Sequence, residues 1–163
     1  MVWRSMLTLT PTFDGKRTIP SRAVTSLMLE MLALTPSDKV LEIGTGSATQ
    51  THALAESGAE IHSIELEPYV DTTIPIGDYI FLHHGDGRKG LPKCAPFTAI
   101  MATCGVKSIP QTWIDQLSES GRIIVPIGDV HVQKLTLFRK EQGQLVAERI
   151  GAYTRFQMLR EVV

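Results

Sequence analysis

The chain has 163 residues, 16 Lys and Arg against 17 Asp and Glu, a formal net charge of -1, and 43% hydrophobic and 20% charged residues. That length suits one domain with a single core that needs no metal or disulfide staple; the composition excludes extensive disorder, and the mixed, near-neutral charge excludes a general nucleic-acid binder. No apolar run reaches the length of a membrane span, and apolar residues alternate with Arg4, Ser5 and threonines from Met1 to Phe13 in a way unlike a leader, so a cytoplasmic protein with no membrane partner is expected.

Residues 1–17 read as an N-terminal extension, in which Trp3, Met6, Leu7 and Leu9 are expected to dock on the core or on a second subunit. From Ser21 to Leu34, Ala23, Val24, Leu27, Met28, Met31 and Leu32 recur at helical spacing, and Pro36 stops the helix. Lys39 to Ile43 is a short apolar strand that runs into Gly44-Thr45-Gly46 and a second helix. There Ser47 and Gln50 suit a capping box and Gly58 the stop. Glu60 to Leu66, Tyr79 to His84 and Phe97 to Thr103 read as parallel strands buried on both faces.

The link Glu67 to Asp78, with Pro68, Pro75 and Gly77, is short for a crossover helix. That side of the sheet is expected to be thinly covered or to take cover from a partner subunit, which makes a homo-oligomer one expected state. Ser108, Pro110 and Gln111 open a third helix, with Trp113, Ile114 and Leu117 on one face and Gly121 at its end, and Arg122 to Ile127 returns as a strand. Gln133 to Arg139 and Leu145 to Tyr153 alternate around Glu141-Gln142-Gly143 as a terminal hairpin. The order predicts one α/β domain over 1–163: a Rossmann-like, mainly parallel core over 18–128, then an antiparallel C-terminal hairpin and tail over 129–163.

Val40 to Ser47 is a strand, a turn and a helix start, with glycines where backbone must approach a ligand closely. Glu65 ends the next strand 21 residues after Gly44, where nucleotide-binding folds hold the acid that accepts both ribose hydroxyls. A tight turn and a solvated acid are the plainer reading of the pair. A dinucleotide such as NAD would want a third glycine where Ala48 stands. Glu42, in the strand before the turn, disfavours phosphate and suits the cationic sulfonium and ammonium of S-adenosylmethionine. Gly85-Asp86-Gly87 supplies an acceptor for an adenine amino group, or else is a plain turn. Cys94 and Cys104 show neither a C-x-x-C nor a Cys/His ligand spacing, and His83 and His84 point to opposite faces of a strand, so no metal is expected.

These stretches, together with Ala95-Pro96-Phe97, Ile109-Pro110, Gly121 to Gly128 and Arg155-Phe156, resemble the protein-L-isoaspartate O-methyltransferase family from about Thr18 to Leu159. The resemblance implies a seven-stranded methyltransferase fold, S-adenosylmethionine as cofactor, and methyl transfer to a carboxylate of a damaged peptide or protein. It implies a cofactor site lined by Glu42, Gly44, Thr45, Gly46, Glu65, Leu66 and Asp86, with Gly87 in the Asp86 loop. A carboxylate is already ionised near pH 7, so such an enzyme needs no general base and mainly supplies alignment and desolvation.

The family's Thr-Ile-Ser segment, whose serine lies beside the reacting groups, corresponds here to Thr18-Ile19-Pro20-Ser21. Thr18 and Ser21 are therefore the expected catalytic positions, with Pro20 in the serine's place; alternatively, Pro20-Ser21 only starts the following helix. Only 17 residues precede Thr18, fewer than the family's N-terminal substrate-enclosing region, and Thr98 stands where family members usually carry aspartate. Those departures keep a second reading in view: a non-catalytic S-adenosylmethionine-binding protein with a regulatory or assembly role.

Overall fold

The computed structural model describes residues 12–13, 18–67 and 77–160. The apolar stretch from Trp3 to Leu9 and most of the link after Glu67 lie outside them. Strands β1 (Thr12–Phe13) and β2 (Thr18–Ile19) pair antiparallel, Thr12 opposite Ile19 and Phe13 opposite Thr18.

Helix α1 (Arg22–Leu32) begins where Ser21 Oγ accepts the Val24 N–H at 3.3 Å, and it ends at Ala33 in the left-handed region, φ 47°. Its apolar stripe buries Val24, Met28, Met31 and Leu32, the positions that helical spacing puts on one side. Strand β3 (Lys39–Ile43) leads to α2 (Thr49–Ala55), β4 (Glu60–Glu65) and β5 (Ile80–His84). A single 3₁₀ turn, Gly87–Lys89, precedes β6 (Phe97–Ala102), and then come α3 (Gln111–Gln116), β7 (Leu117–Gly128), β8 (Gln133–Glu141) and β9 (Gln144–Thr154).

The seven strands β3 to β9 form one sheet in the order β5-β4-β3-β6-β7-β8-β9. Pairs from β5 through β7 are parallel, while β7–β8 and β8–β9 are antiparallel. The chain winds outward from β3 in one direction and from β6 in the other, so the crevice at the carboxyl ends of β3 and β6 is the switch point where such sheets bind ligands. On one face α1 and α2 cover Val40, Ile61, Ala99, Met101 and Ile124; on the other, Trp113 and Leu117 pack with Leu41, Phe97, Ile100 and Ile123. The hairpin contributes Leu135 and Leu137 to the first of these cores.

Three local expectations are corrected, and one alternative reading holds. Ser47 does not cap α2: its Oγ pairs with Thr49 Oγ1 at 2.9 Å, the N-cap is Ala48 at φ 59°, and the Gln50 amide turns inward to Thr25. Burial of Gln50 removes the partner a capping box requires. Helix α3 stops at Gln116 rather than Gly121, because Leu117 already pairs with Phe97 in the sheet. Strand β5 is an edge, not buried on both faces: Phe81 is 44% exposed. Finally, Pro20-Ser21 does begin the helix, with Ser21 as its cap.

Candidate functional site

The switch point holds an open cleft. Gly44, Thr45, Gly46, Glu65, Leu66, Asp86 and Gly87 all line it, so the proposed cofactor residues come together from three strand ends, Glu42 excepted. Gly44 sits at φ +97°, and a Cβ there would lie 2.5 Å from Thr103 Oγ1. Thr103 Oγ1 donates to the carbonyls of Ile43 and Gly44 at 2.8 and 2.5 Å, clamping the turn from β6. Only glycine fits that approach. At Gly46, φ +52°, a Cβ would meet nothing within 4 Å. The backbone there faces open cleft.

Glu65 is fixed by backbone donors. Its Oε2 accepts the Gly46 N–H at 2.8 Å, and its Oε1 accepts those of Leu66 at 2.9 Å and Glu67 at 3.3 Å. A carboxylate offers about four acceptor sites, so with three taken about one remains for a ligand hydroxyl. Asp86 is gripped by Arg88: Nε lies 3.2 Å from both carboxylate oxygens and Nη2 3.0 Å from Oδ2. The hydrogen bonds and charge of Arg88 hold its carboxyl below the usual range.

Glu42 is elsewhere. It lies fully buried beneath the turn, where Oε2 accepts from Thr51 at 2.5 Å and Ser63 at 2.6 Å, and Ser63 in turn pairs with Thr45 Oγ1 at 2.6 Å. Burial pushes its carboxyl up to about 7 against those two hydrogen bonds, and Oε1 has no hydrogen-bond partner. Glu42 supports the turn through a hydroxyl chain rather than presenting charge to the cleft.

On the substrate side, Pro20 lines the cleft but Ser21 does not, its hydroxyl being used as the α1 cap. Thr18 belongs to β2, and its side chain lies outside the described residues. Residues without a signal in the sequence complete the walls. Gln50, Thr103 and Cys104 come from neighbouring elements, and Met158, Leu159 and Arg160 come from beyond the hairpin. Cys104 is a thiol there, pushed up to about 12 by burial and by the Glu65 carboxylate. Arg160 crosses the mouth to Glu67 at 2.7 Å, an exposed pair that contributes little to stability.

A model of the protein-L-isoaspartate (D-aspartate) O-methyltransferase family matches residues 7–160. The chain belongs to that family. Among similar proteins, the protein-L-isoaspartate O-methyltransferase of Gloeobacter violaceus is 39% identical over 140 residues, covering 82% of this chain and 68% of that protein. Protein-L-isoaspartate O-methyltransferase 1 of Syntrophobacter fumaroxidans is 41% identical over 128 residues, covering 75% and 60%. A solved protein-L-isoaspartate O-methyltransferase superposes with a TM-score of 0.78 at 28% identity, over 92% of this chain and 51% of that one. A Plasmodium falciparum structure in complex with S-adenosyl-L-homocysteine shares the fold, with a TM-score of 0.76 at 19% identity over 93% and 80% of the two chains. The chain thus spans about two thirds of its curated relatives and about half of the first solved one. At the level of the family, the fold class and the O-methyltransferase activity expected from the sequence are borne out. Among the described residues no helix is long and apolar enough to cross a membrane.

Proposed function

We propose that this chain binds S-adenosylmethionine in the cleft at the ends of β3, β4 and β5 and methylates a carboxylate on a damaged, isoaspartyl-containing peptide or protein. The observation that carries the reading is the joining of Gly46 to Glu65, which sets a glycine turn and a ribose-type acid side by side at the switch point. The residues fit the cofactor: Gly44 and Gly46 keep the floor free of side chains, Glu65 and Leu66 take the ribose side, and Asp86 and Gly87 the adenine side. Bound there, S-adenosylmethionine supplies an electrophilic methyl group on a sulfonium.

The chain's own part is to align the acceptor and exclude water. A carboxylate oxygen attacks without losing a proton, so no side chain has to serve as base. Pro20, at the cleft wall next to the Ser21 cap, shapes the substrate entrance, and Thr18, two residues earlier in the chain, is the candidate hydroxyl. Free Cys94 and Cys104 support a reducing, cytoplasmic setting. Exposed Tyr79 and Phe81 beside the β5 edge support a homo-oligomer.

The test is incubation with labelled S-adenosylmethionine and an isoaspartyl peptide, scored as base-labile methyl ester. Ester formation is expected; its absence, with S-adenosylhomocysteine still binding in calorimetry, would reduce the protein to the binding-only role. Glu65→Ala should weaken S-adenosylhomocysteine binding at least tenfold, and unchanged affinity would remove Glu65 from the ribose contact.

A further inference from the structure

Away from the cleft, on the face of the sheet that carries Phe97, three ligand-type side chains converge. His62 on β4, His83 on β5 and Cys94 in the loop before β6 place one ring nitrogen or sulfur each within 4.8 Å of one another. None of them lines the cofactor cleft. Their positions in the chain hide the group, because strand pairing rather than local spacing brings the segments together.

We propose that His62, His83 and Cys94 form a binding site for one divalent ion of the zinc(II) class. His62 Nδ1 and His83 Nε2 face each other at 3.1 Å. Zinc with nitrogen bonds of about 2.0–2.1 Å and a sulfur bond of about 2.3 Å separates tetrahedral ligand atoms by roughly 3.3–3.7 Å. The two nitrogens need only open by a few tenths of an ångström. The Cys94 sulfur closes by up to roughly an ångström, a side-chain rotation in a half-buried loop residue. Two imidazoles and a thiolate are a donor set for zinc rather than for magnesium or calcium.

The second observation is how His62 is held. Glu60 Oε1 lies 2.7 Å from His62 Nε2, and since a carboxylate only accepts, that nitrogen carries the proton and in the neutral ring Nδ1 presents a lone pair. Carboxylates fix metal-binding histidines in this way. Phe81 stacks on the ring with centroids 4.9 Å apart, and Phe97 meets it edge-on at 5.8 Å. The ring is thus buried and oriented before any ion arrives. In the metal-free state His83 Nε2–H donates to His62 Nδ1. On binding, His83 moves its proton to Nδ1, Cys94 gives up its thiol proton to solvent, and one proton leaves per ion bound. A fourth position stays open for water.

The test uses the full chain stripped with a chelator, then titrated with zinc against a chromophoric chelator and separately with cobalt(II). One saturable equivalent and a thiolate-to-cobalt charge-transfer band are expected. His83→Gln and Cys94→Ser should each weaken zinc binding at least tenfold, and Glu60→Gln about tenfold. Cys94→Ser should abolish the band, whereas Cys104→Ser should keep it. His83 sits on an edge strand and Cys94 in a loop, so far-UV circular dichroism should show both variants folded. No saturable uptake, or uptake unchanged in the His83→Gln, Cys94→Ser double variant, overturns the site.

Discussion

Glu42 in sequence is a charge ahead of a glycine turn; in the fold it is a buried acid whose carboxyl titrates near 7. Its value is raised from 4.5, so folding binds a proton: the contribution is complete below about pH 4.5 and lost as pH rises through 7. Glu42→Gln keeps the shape and removes the titration. Between pH 4.5 and 7 the variant should gain on the wild type by up to about 3 kcal/mol, measured as the difference of their urea unfolding free energies.

Thr98, where family members usually have aspartate, is likewise explained by its surroundings. Its Oγ1 donates to Asp38 Oδ1 at 2.7 Å and accepts the Lys39 N–H at 2.9 Å, while Arg122 approaches the same Asp38 oxygen at 3.0 Å. Burial pushes the Asp38 carboxyl up, but the hydrogen bonds of Thr98 and Thr35 and the Arg122 charge outweigh it and hold it low. Thr98→Asp would set two carboxylates against each other, and it should destabilise by about 1–3 kcal/mol in denaturant titration.

Among the elements, α3 is short but holds one wall of the cleft. Trp113 Nε1–H donates to the Gly87 carbonyl at 2.8 Å, and Gln116 brackets the same loop through Lys89 O and Leu91 N, each at 2.7 Å. Trp113→Phe retains an aromatic core residue but leaves the Gly87 carbonyl with the Gly90 N–H, at 3.1 Å, as its remaining donor. A loss of about 1–2 kcal/mol is expected on chemical denaturation, with S-adenosylhomocysteine affinity several-fold weaker by calorimetry because Asp86 and Gly87 shift. The strands were legible because β3 and β6, sandwiched between layers, are nearly continuous apolar runs. Helix ends were less so. The Ser47–Gln50 pattern suits a cap until packing claims Gln50, and Leu117 fits a helical stripe until it pairs with Phe97.

For the whole molecule, alternation of strand and helix sufficed for the parallel core and the hairpin, and the 21-residue step from Gly44 to Glu65 located the cleft. What stayed hidden depends on contacts between distant segments. Thr103 and Cys104 reach the turn only because β6 lies beside β3. Residues 157–160 reach it because Gly105 N–H donates to Gln157 O at 2.9 Å and Leu159 N–H to Gly105 O at 2.8 Å. Gln133 sets that course, accepting the Phe156 N–H at 2.6 Å and donating to its carbonyl at 3.1 Å. No periodicity announces a pairing across such a span.

That last tie bears on how the protein is made. The glycine turn leaves the ribosome early, but the wall over it is translated after every strand of the sheet. A nascent chain with strands β3 to β7 in hand already carries Gly44, Gly46, Glu65 and Asp86, and lacks only the wall that residues 157–160 add.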